Sequence, residues 1–216
     1  CAINPTSGRE YDYPEKTASQ PKRILVVGGG VGGINAAMQG DKMGHDVTLW
    51  EKTGKLGGLL LPAGAPAFKH DMKVYLDNLV HRLDESGVKV VLNKEAKADE
   101  IIAGNWDAVI VATGSSPIVP PIPGIEGKNV MTANDALTAL VPLKGKVVVI
   151  GGGLVGCEAA VHISQTAEQV YCVEMAADIL STADHMFNND QSIRNLLANS
   201  GTIVHCGTTV VSIDEQ

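Results

Sequence analysis

A glycine fingerprint occurs twice in this chain, in the same local context each time. Ile24-Leu25-Val26-Val27 runs into Gly28-Gly29-Gly30-Val31-Gly32-Gly33, and Val147-Val148-Val149-Ile150 runs into Gly151-Gly152-Gly153-Leu154-Val155-Gly156. Each copy follows a short apolar run, precedes a helical pattern and is followed by a glutamate at the same spacing: Glu51 in the first, Glu174 in the second. In G-x-G-x-x-G the first glycine (Gly28, Gly151) permits a tight strand-to-helix turn. The second (Gly30, Gly153) lets the main chain approach a pyrophosphate, and the third (Gly33, Gly156) lets helix and strand pack closely. The helix that follows directs unpaired N–H groups and a partial positive charge at the phosphates, while the acidic residue accepts from ribose hydroxyls. Glycine-rich turns also join strands to helices without binding anything. Two copies in matching context point instead to a chain built around two dinucleotides.

Coarse periodicity agrees with an α/β chain. The pattern predicts a strand at 23–28, a helix at 31–43 and a strand at 46–51, then a loop over 54–70 rich in Gly, Pro and Leu. A helix follows over 70–86, with strands at 88–92 and 107–112. Residues 115–124 carry four prolines and read as an extended connector. A second βαβ unit starts at Lys146, followed by a helix near 187–199, a strand near 202–206 and a strand-like run over 209–213. Aromatic residues make up only 4% of the chain, so its core rests on Val, Ile, Leu and Ala, as buried parallel strands favour.

The expected fold class is therefore α/β with two Rossmann-like dinucleotide-binding folds. The expected organisation is an extended leader (1–21), a first nucleotide domain (22–117), a connector (118–144) and a second nucleotide domain (145–216). Both folds are expected to be incomplete, because the second has too few strands after Gly151 and the first has no returning segment. The chain thus reads as a fragment.

A net charge of −7 argues against nucleic acid or an anionic membrane as the main partner. No apolar run approaches membrane-span length. Cysteines stand at 1, 157, 172 and 206 without a C-x-x-C pair, which suits a reducing, cytoplasmic setting. Cys157 and Cys172 read as small packing residues. The six histidines show no ligand spacing.

The order of motifs resembles the two-dinucleotide-binding-domain flavoproteins. Glu51-Lys52 is followed by Leu56-Gly57-Gly58, then Val109-Ile110-Val111-Ala112-Thr113-Gly114, a proline-rich stretch and the second fingerprint with Glu158. The resemblance covers about residues 22–216. It implies that the first fold holds the ADP part of FAD and the second holds NAD(P)H, with Lys52, Gly58 and Ala112–Gly114 near the FAD. Residues 52–70 and 131–146 contain no cysteine, so the thiol chemistry of disulfide and thioredoxin reductases is not expected.

The leader Cys1-Ala2-Ile3-Asn4-Pro5 resembles the junction in the group of 2,4-dienoyl-CoA reductase, enoate reductase and trimethylamine dehydrogenase. That resemblance implies Cys1 as a ligand of a 4Fe-4S cluster and an FMN-binding barrel as partner segments of the same parent. Hydride would pass from NADH to FAD, and electrons then through the cluster to FMN to reduce an activated C=C bond. Glu174, with Met175-Ala176-Ala177 and no nearby arginine, favours NADH over NADPH. Glu158 either acts at the nicotinamide end or complements the helix dipole. No residue stands out as a general acid or base. Two other readings share these motifs: a scaffold that holds ADP without turnover, and a stand-alone ferredoxin or rubredoxin reductase.

Overall fold

The computed structural model describes residues 4, 6–14, 16–181 and 187–214. The chain divides into two compact units, one of residues 1–64 and 70–115, the other of residues 65–69 and 116–216.

In the first unit, β1 (Arg23–Val27), β2 (Asp46–Trp50), β3 (Lys89–Val91) and β4 (Ala108–Val111) form a parallel sheet in the order β3-β2-β1-β4. β1 is central, and its Leu25 and Val26 are fully buried. This is why its run of β-branched and aliphatic residues is continuous rather than alternating. Two helices cover one face. α1 (Val31–Lys42) turns Ile34, Ala37 and Met38 inward, and α3 (His70–Asp84) does so with Leu76, Leu79 and Leu83. These i, i+3, i+4 and i+7 spacings make buried stripes, of which Ile34, Ala37, Met38, Leu79 and Leu83 share one core with Ile24, Val26, Val47 and Leu49.

The second unit repeats the plan with a smaller sheet. β5 (Lys146–Ile150), β6 (Gln169–Val173) and β7 (Ile203–His205) are parallel in the order β5-β6-β7. α6 (Leu154–Ile163) follows the fingerprint and α7 (Phe187–Asn199) precedes β7. Register is the same in the two units. Val27 pairs with Trp50 and Ile150 with Val173, so each fingerprint begins level with the end of its neighbouring strand.

Several expectations change. The 54–70 loop contains the short helix α2 (Leu60–Ala63) and a single 3-10 turn at Ala67–Lys69. Its last part belongs to the second unit, where Ala65 packs against a core of Leu137, Ala159, Ala160 and Ile163. Neither α4 (Ala98–Ala103) nor α5 (Ala133–Thr138) was expected, because six-residue helices carry too little periodicity. α5 lies within the stretch read as a connector. Thr132 caps it by accepting from the Asp135 N–H at 3.2 Å, and Leu137 anchors it in the second unit. Residues 209–213 form no strand; Ile213 instead donates to the Pro123 carbonyl at 2.8 Å. The leader carries a 3-10 turn at Glu10–Asp12. Among the described residues no helix is long and apolar enough to cross a membrane.

Candidate functional site: two matched glycine-carboxylate turns

The two fingerprints fold into the same object. Gly28 and Gly151 take φ of +109° and +104°, a conformation that favours glycine, and each donates its N–H across to the end of the adjacent strand at 2.8 Å. At Gly33 and Gly156, an added Cβ would run into the carbonyl oxygens of Gly28 and Gly151. Gly30 and Gly153 are the N-caps of α1 and α6, and neither helix start is capped by a side chain. The first-turn N–H groups therefore remain available to an anion. The space before them is open. A Cβ on Gly30 would come no nearer than 3.9 Å to Gly58, and one on Gly151 or Gly153 would meet nothing within 4 Å. This donor set and cradle fit a dinucleotide pyrophosphate.

The carboxylates are locked from behind. Glu51 is 7% exposed. Its Oε2 accepts from the Gly29 N–H at 2.7 Å, and its Oε1 accepts from the N–H and hydroxyl of Thr53, both at 2.8 Å. Burial works against its charge. The N–H groups of Thr53 and Gly29, the Thr53 hydroxyl and the Lys52 ammonium outweigh that penalty and hold the carboxyl below its ordinary range. Glu174 repeats the arrangement, accepting from Gly152 N–H and Ala176 N–H, each at 2.7 Å. A carboxylate has about four acceptor sites, so both glutamates keep capacity for ribose hydroxyls.

The middle glycines explain why both copies read Gly-Gly-Gly. A Cβ on Gly29 would lie 3.0 Å from Glu51 Cβ and 2.6 Å from Leu56 Cδ2. On Gly152 it would lie 3.0 Å from Glu174 Cβ and 2.9 Å from Ile179 Cγ2. The correspondence continues one residue further. Gly57 N–H donates to the Gly29 carbonyl at 2.8 Å, and Leu180 N–H donates to the Gly152 carbonyl at 2.8 Å. Sequence reasoning marked Leu56-Gly57-Gly58 but missed Ile179-Leu180. Leucine at a position of φ +60° gives no warning that it replaces a glycine.

The remaining expected residues of the first turn also gather there. Gly58 packs on Gly30, with its own notional Cβ 3.1 Å from the Gly30 Cα. Ala112 N–H donates to the Val27 carbonyl at 2.8 Å, and the Ala112 carbonyl and Thr113 Cα lie directly against Gly28. Lys52 is exposed beside Glu51, and Gly114 is exposed beyond Thr113 at φ +71°.

In the second unit Glu158 is the fifth residue of α6, past the first turn, which weakens the dipole role. It instead pairs with Lys69 at 2.5 Å, both side chains less than one-fifth exposed. Lys69 was missed as a lone cation in a loop without periodicity. Cys1 lies outside the described residues.

Comparison with known proteins agrees with this architecture. Residues 22–216 match the family described as pyridine nucleotide-disulphide oxidoreductase. The chain is 44% identical over 180 residues to the cinnamate reductase of Clostridium sporogenes, covering 83% of this chain and 27% of that protein. It is 44% identical over 184 residues to the NADH oxidase of Thermoanaerobacter brockii, covering 83% and 28%. A structure of 2-naphthoyl-CoA reductase with 2-naphthoyl-CoA superimposes with a TM-score of 0.89 at 32% identity, covering 99% of this chain and 32% of that one. The chain thus spans little more than a quarter of the curated relatives it matches. With its two parallel-sheet units of the FAD/NAD-binding Rossmann type, this chain belongs to the pyridine nucleotide-disulphide oxidoreductase family.

Proposed function

We propose that the chain is the electron-entry module of an NADH-dependent flavin oxidoreductase. The observation that carries this reading is the duplication of one glycine-carboxylate turn, with an open cradle before each helix start. FAD is assigned to the first turn, at Gly28, Gly30, Gly33, Glu51, Lys52, Gly58 and Ala112–Gly114. The nicotinamide dinucleotide is assigned to the second, at Gly151, Gly153, Gly156, Glu158 and Glu174. When bound, the groups supply hydride transfer from NADH to FAD, with onward single-electron flow through a 4Fe-4S cluster to FMN serving reduction of an activated C=C bond in the parent.

The chain's own residues position and discriminate. Glu51 and Glu174 offer their remaining lone pairs to ribose hydroxyls, and the α1 and α6 N-termini receive phosphate charge. Preference for NADH rests on Glu174, whose carboxylate would repel a 2′-phosphate. Arg194 is the first arginine or lysine after Glu174 in the chain. Its guanidinium is already engaged by Asp178 at 3.0 and 3.1 Å, by Asp190 and by the Ile179 carbonyl at 2.9 Å. Its hydrogen bonds to the Asp178 and then the Asp190 carboxylates push it further into its charged form. Lys69, held by Glu158, places a cation in the second unit for the dinucleotide's far end. A cytoplasmic location goes with the free thiols.

The test is an absorption spectrum of the purified chain with and without added FAD, followed by anaerobic NADH. Little flavin is expected to stay with the purified chain, and a weak flavin band bleached by NADH is expected once FAD is added. ADP binding without any flavin binding would replace this reading with that of an adenine-nucleotide scaffold.

A further inference from the structure

One peptide group of the second unit is held at both ends. Its carbonyl, that of Ile179, accepts from Arg194 Nη2 at 2.9 Å, and its N–H, that of Leu180, donates to the Gly152 carbonyl at 2.8 Å. The peptide is trans, so the two groups lie in one plane and point in opposite directions. Arg194 of α7 is thus joined through a single rigid unit to the middle glycine of the second turn. Gly152 in turn donates its own N–H to Glu174 at 2.7 Å.

The guanidinium is itself fixed on every nitrogen. Nη1 and Nη2 fork onto the two Asp178 oxygens at 3.1 and 3.0 Å, and Nε donates to Asp190 one turn earlier on α7. Asp178 Oδ1 also accepts from the Ile179 N–H at 2.9 Å, so both polar backbone groups of Ile179 are tied to this cluster. Ile179 and Leu180 are buried in one core with Ile193 and Leu197 of α7. Leu180 stands at φ +60°, which a leucine keeps only where its surroundings over-determine it. In the first turn Gly57 makes the matching hydrogen bond, and a positive φ costs glycine nothing.

We propose that Arg194 is a positioning residue for the second nucleotide site: it orients the Ile179–Leu180 peptide, which holds Gly152 and, through it, the Glu174 carboxylate in the geometry that receives NADH. The last step rests on the assignment of NADH to that turn.

Donation from a charged guanidinium to the Ile179 carbonyl polarises the peptide and strengthens the Leu180 N–H bond on its far side. Without Arg194 the peptide is free to turn, and Leu180 relaxes from the left-handed region. The Gly152 carbonyl then keeps the Cys157 thiol at 3.3 Å, a weak donor. Lysine cannot stand in, because a point charge on a flexible stem does not reproduce the fork on Asp178 together with the bonds to Asp190 and Ile179.

The test compares the whole chain with Arg194→Met and Arg194→Lys by amide hydrogen exchange without nucleotide and by titration with NADH. In both variants the Leu180 and Gly152 amides are expected to exchange about tenfold faster while those of β5 and β6 stay protected, and NADH affinity is expected to fall about tenfold. Should Arg194→Met fail to fold, Asp178→Asn keeps an acceptor for the Ile179 N–H, removes the charge under the fork and is expected to give the same pattern at smaller size. Unchanged exchange at Leu180 and Gly152, faster exchange spread evenly over β5 and β6, full rescue by lysine, or unchanged NADH affinity overturns the proposal. A wild-type chain that binds no NADH overturns the nucleotide assignment and the step that rests on it, and the exchange data then judge the Arg194 brace by themselves.

Discussion

The two glycine-carboxylate turns share one local design and differ in what surrounds them. In the first unit β1 is flanked by β2 and β4, and Gly28 lies directly under the Ala112 carbonyl. Among the described residues of the second unit β5 stands at the sheet edge, and a Cβ on Gly151 would meet nothing within 4 Å. Burial follows: Ile24 to Val27 are all buried, whereas Val148 is 56% exposed. The last anchor differs as well. Gly57 holds the first turn at φ +120°, whereas Leu180 holds the second at +60°. A leucine there costs about 1–2 kcal/mol of backbone strain, but its side chain fills the core between α6 and α7. Hydrogen bonds within the motif thus reproduce its shape, and neighbouring strands decide how deeply it is buried.

The sharpest way to break this comparison is to put one methyl group at each leading glycine. Gly28→Ala adds strain and a clash with Ala112, and is expected to cost the first unit about 4 kcal/mol. Gly151→Ala adds strain alone, about 1–2 kcal/mol. Both tryptophans, Trp50 and Trp106, lie in the first unit, so urea unfolding followed by tryptophan fluorescence reads that unit. Hydrogen exchange over 146–173 reads the other. Equal losses would show that β4 contributes nothing to the first turn.

Leu180→Ala is the matching lesion in the second unit. Emptying a site that is 1% exposed should cost about 3 kcal/mol there and leave the tryptophan-detected transition in place. A joint shift of both transitions would show that the two units unfold together.

Glu51→Gln should cost about 2 kcal/mol, because three charge-assisted hydrogen bonds become neutral or are lost. Its pH signature has a definite sign. The folded carboxyl is held below its ordinary value, so unfolding takes up a proton in acid. The stability contributed by Glu51 is complete well above about pH 4.3 and falls as pH drops through the lower folded value. Urea titrations of the first unit between neutral and acidic pH should therefore steepen in the wild type and flatten in the variant. Identical acid profiles would rule out Glu51 as the source.

The smallest effect expected is that of Thr53→Ala, which makes the first turn resemble the second, where Ala176 stands. Loss of the hydroxyl, which bonds the Glu51 carboxylate and the Lys55 backbone, should cost about 1 kcal/mol and leave the cradle open. A much larger loss would mean that the two carboxylate locks are not equivalent.

Much of this molecule was legible in the residues alone. The apolar runs and glycine spacing placed β1, α1, β2, β5, α6 and β6, because buried parallel strands and helix stripes leave periodic traces. The same spacing named Gly28, Gly33, Glu51 and their partners, since these roles depend on backbone conformation and on hydrogen bonds within one βαβ unit. Short helices such as α4 and α5, and the loss of the expected strand at 209–213, were decided by packing that leaves no local pattern. Two findings came from tertiary structure alone. Lys69 reaches Glu158 because residues 65–69 fold into the second unit, and Leu180 replaces a glycine because its side chain is needed in the core. Each joins groups distant along the chain, and such contacts are set by the closing of the core, which no single stretch of sequence records.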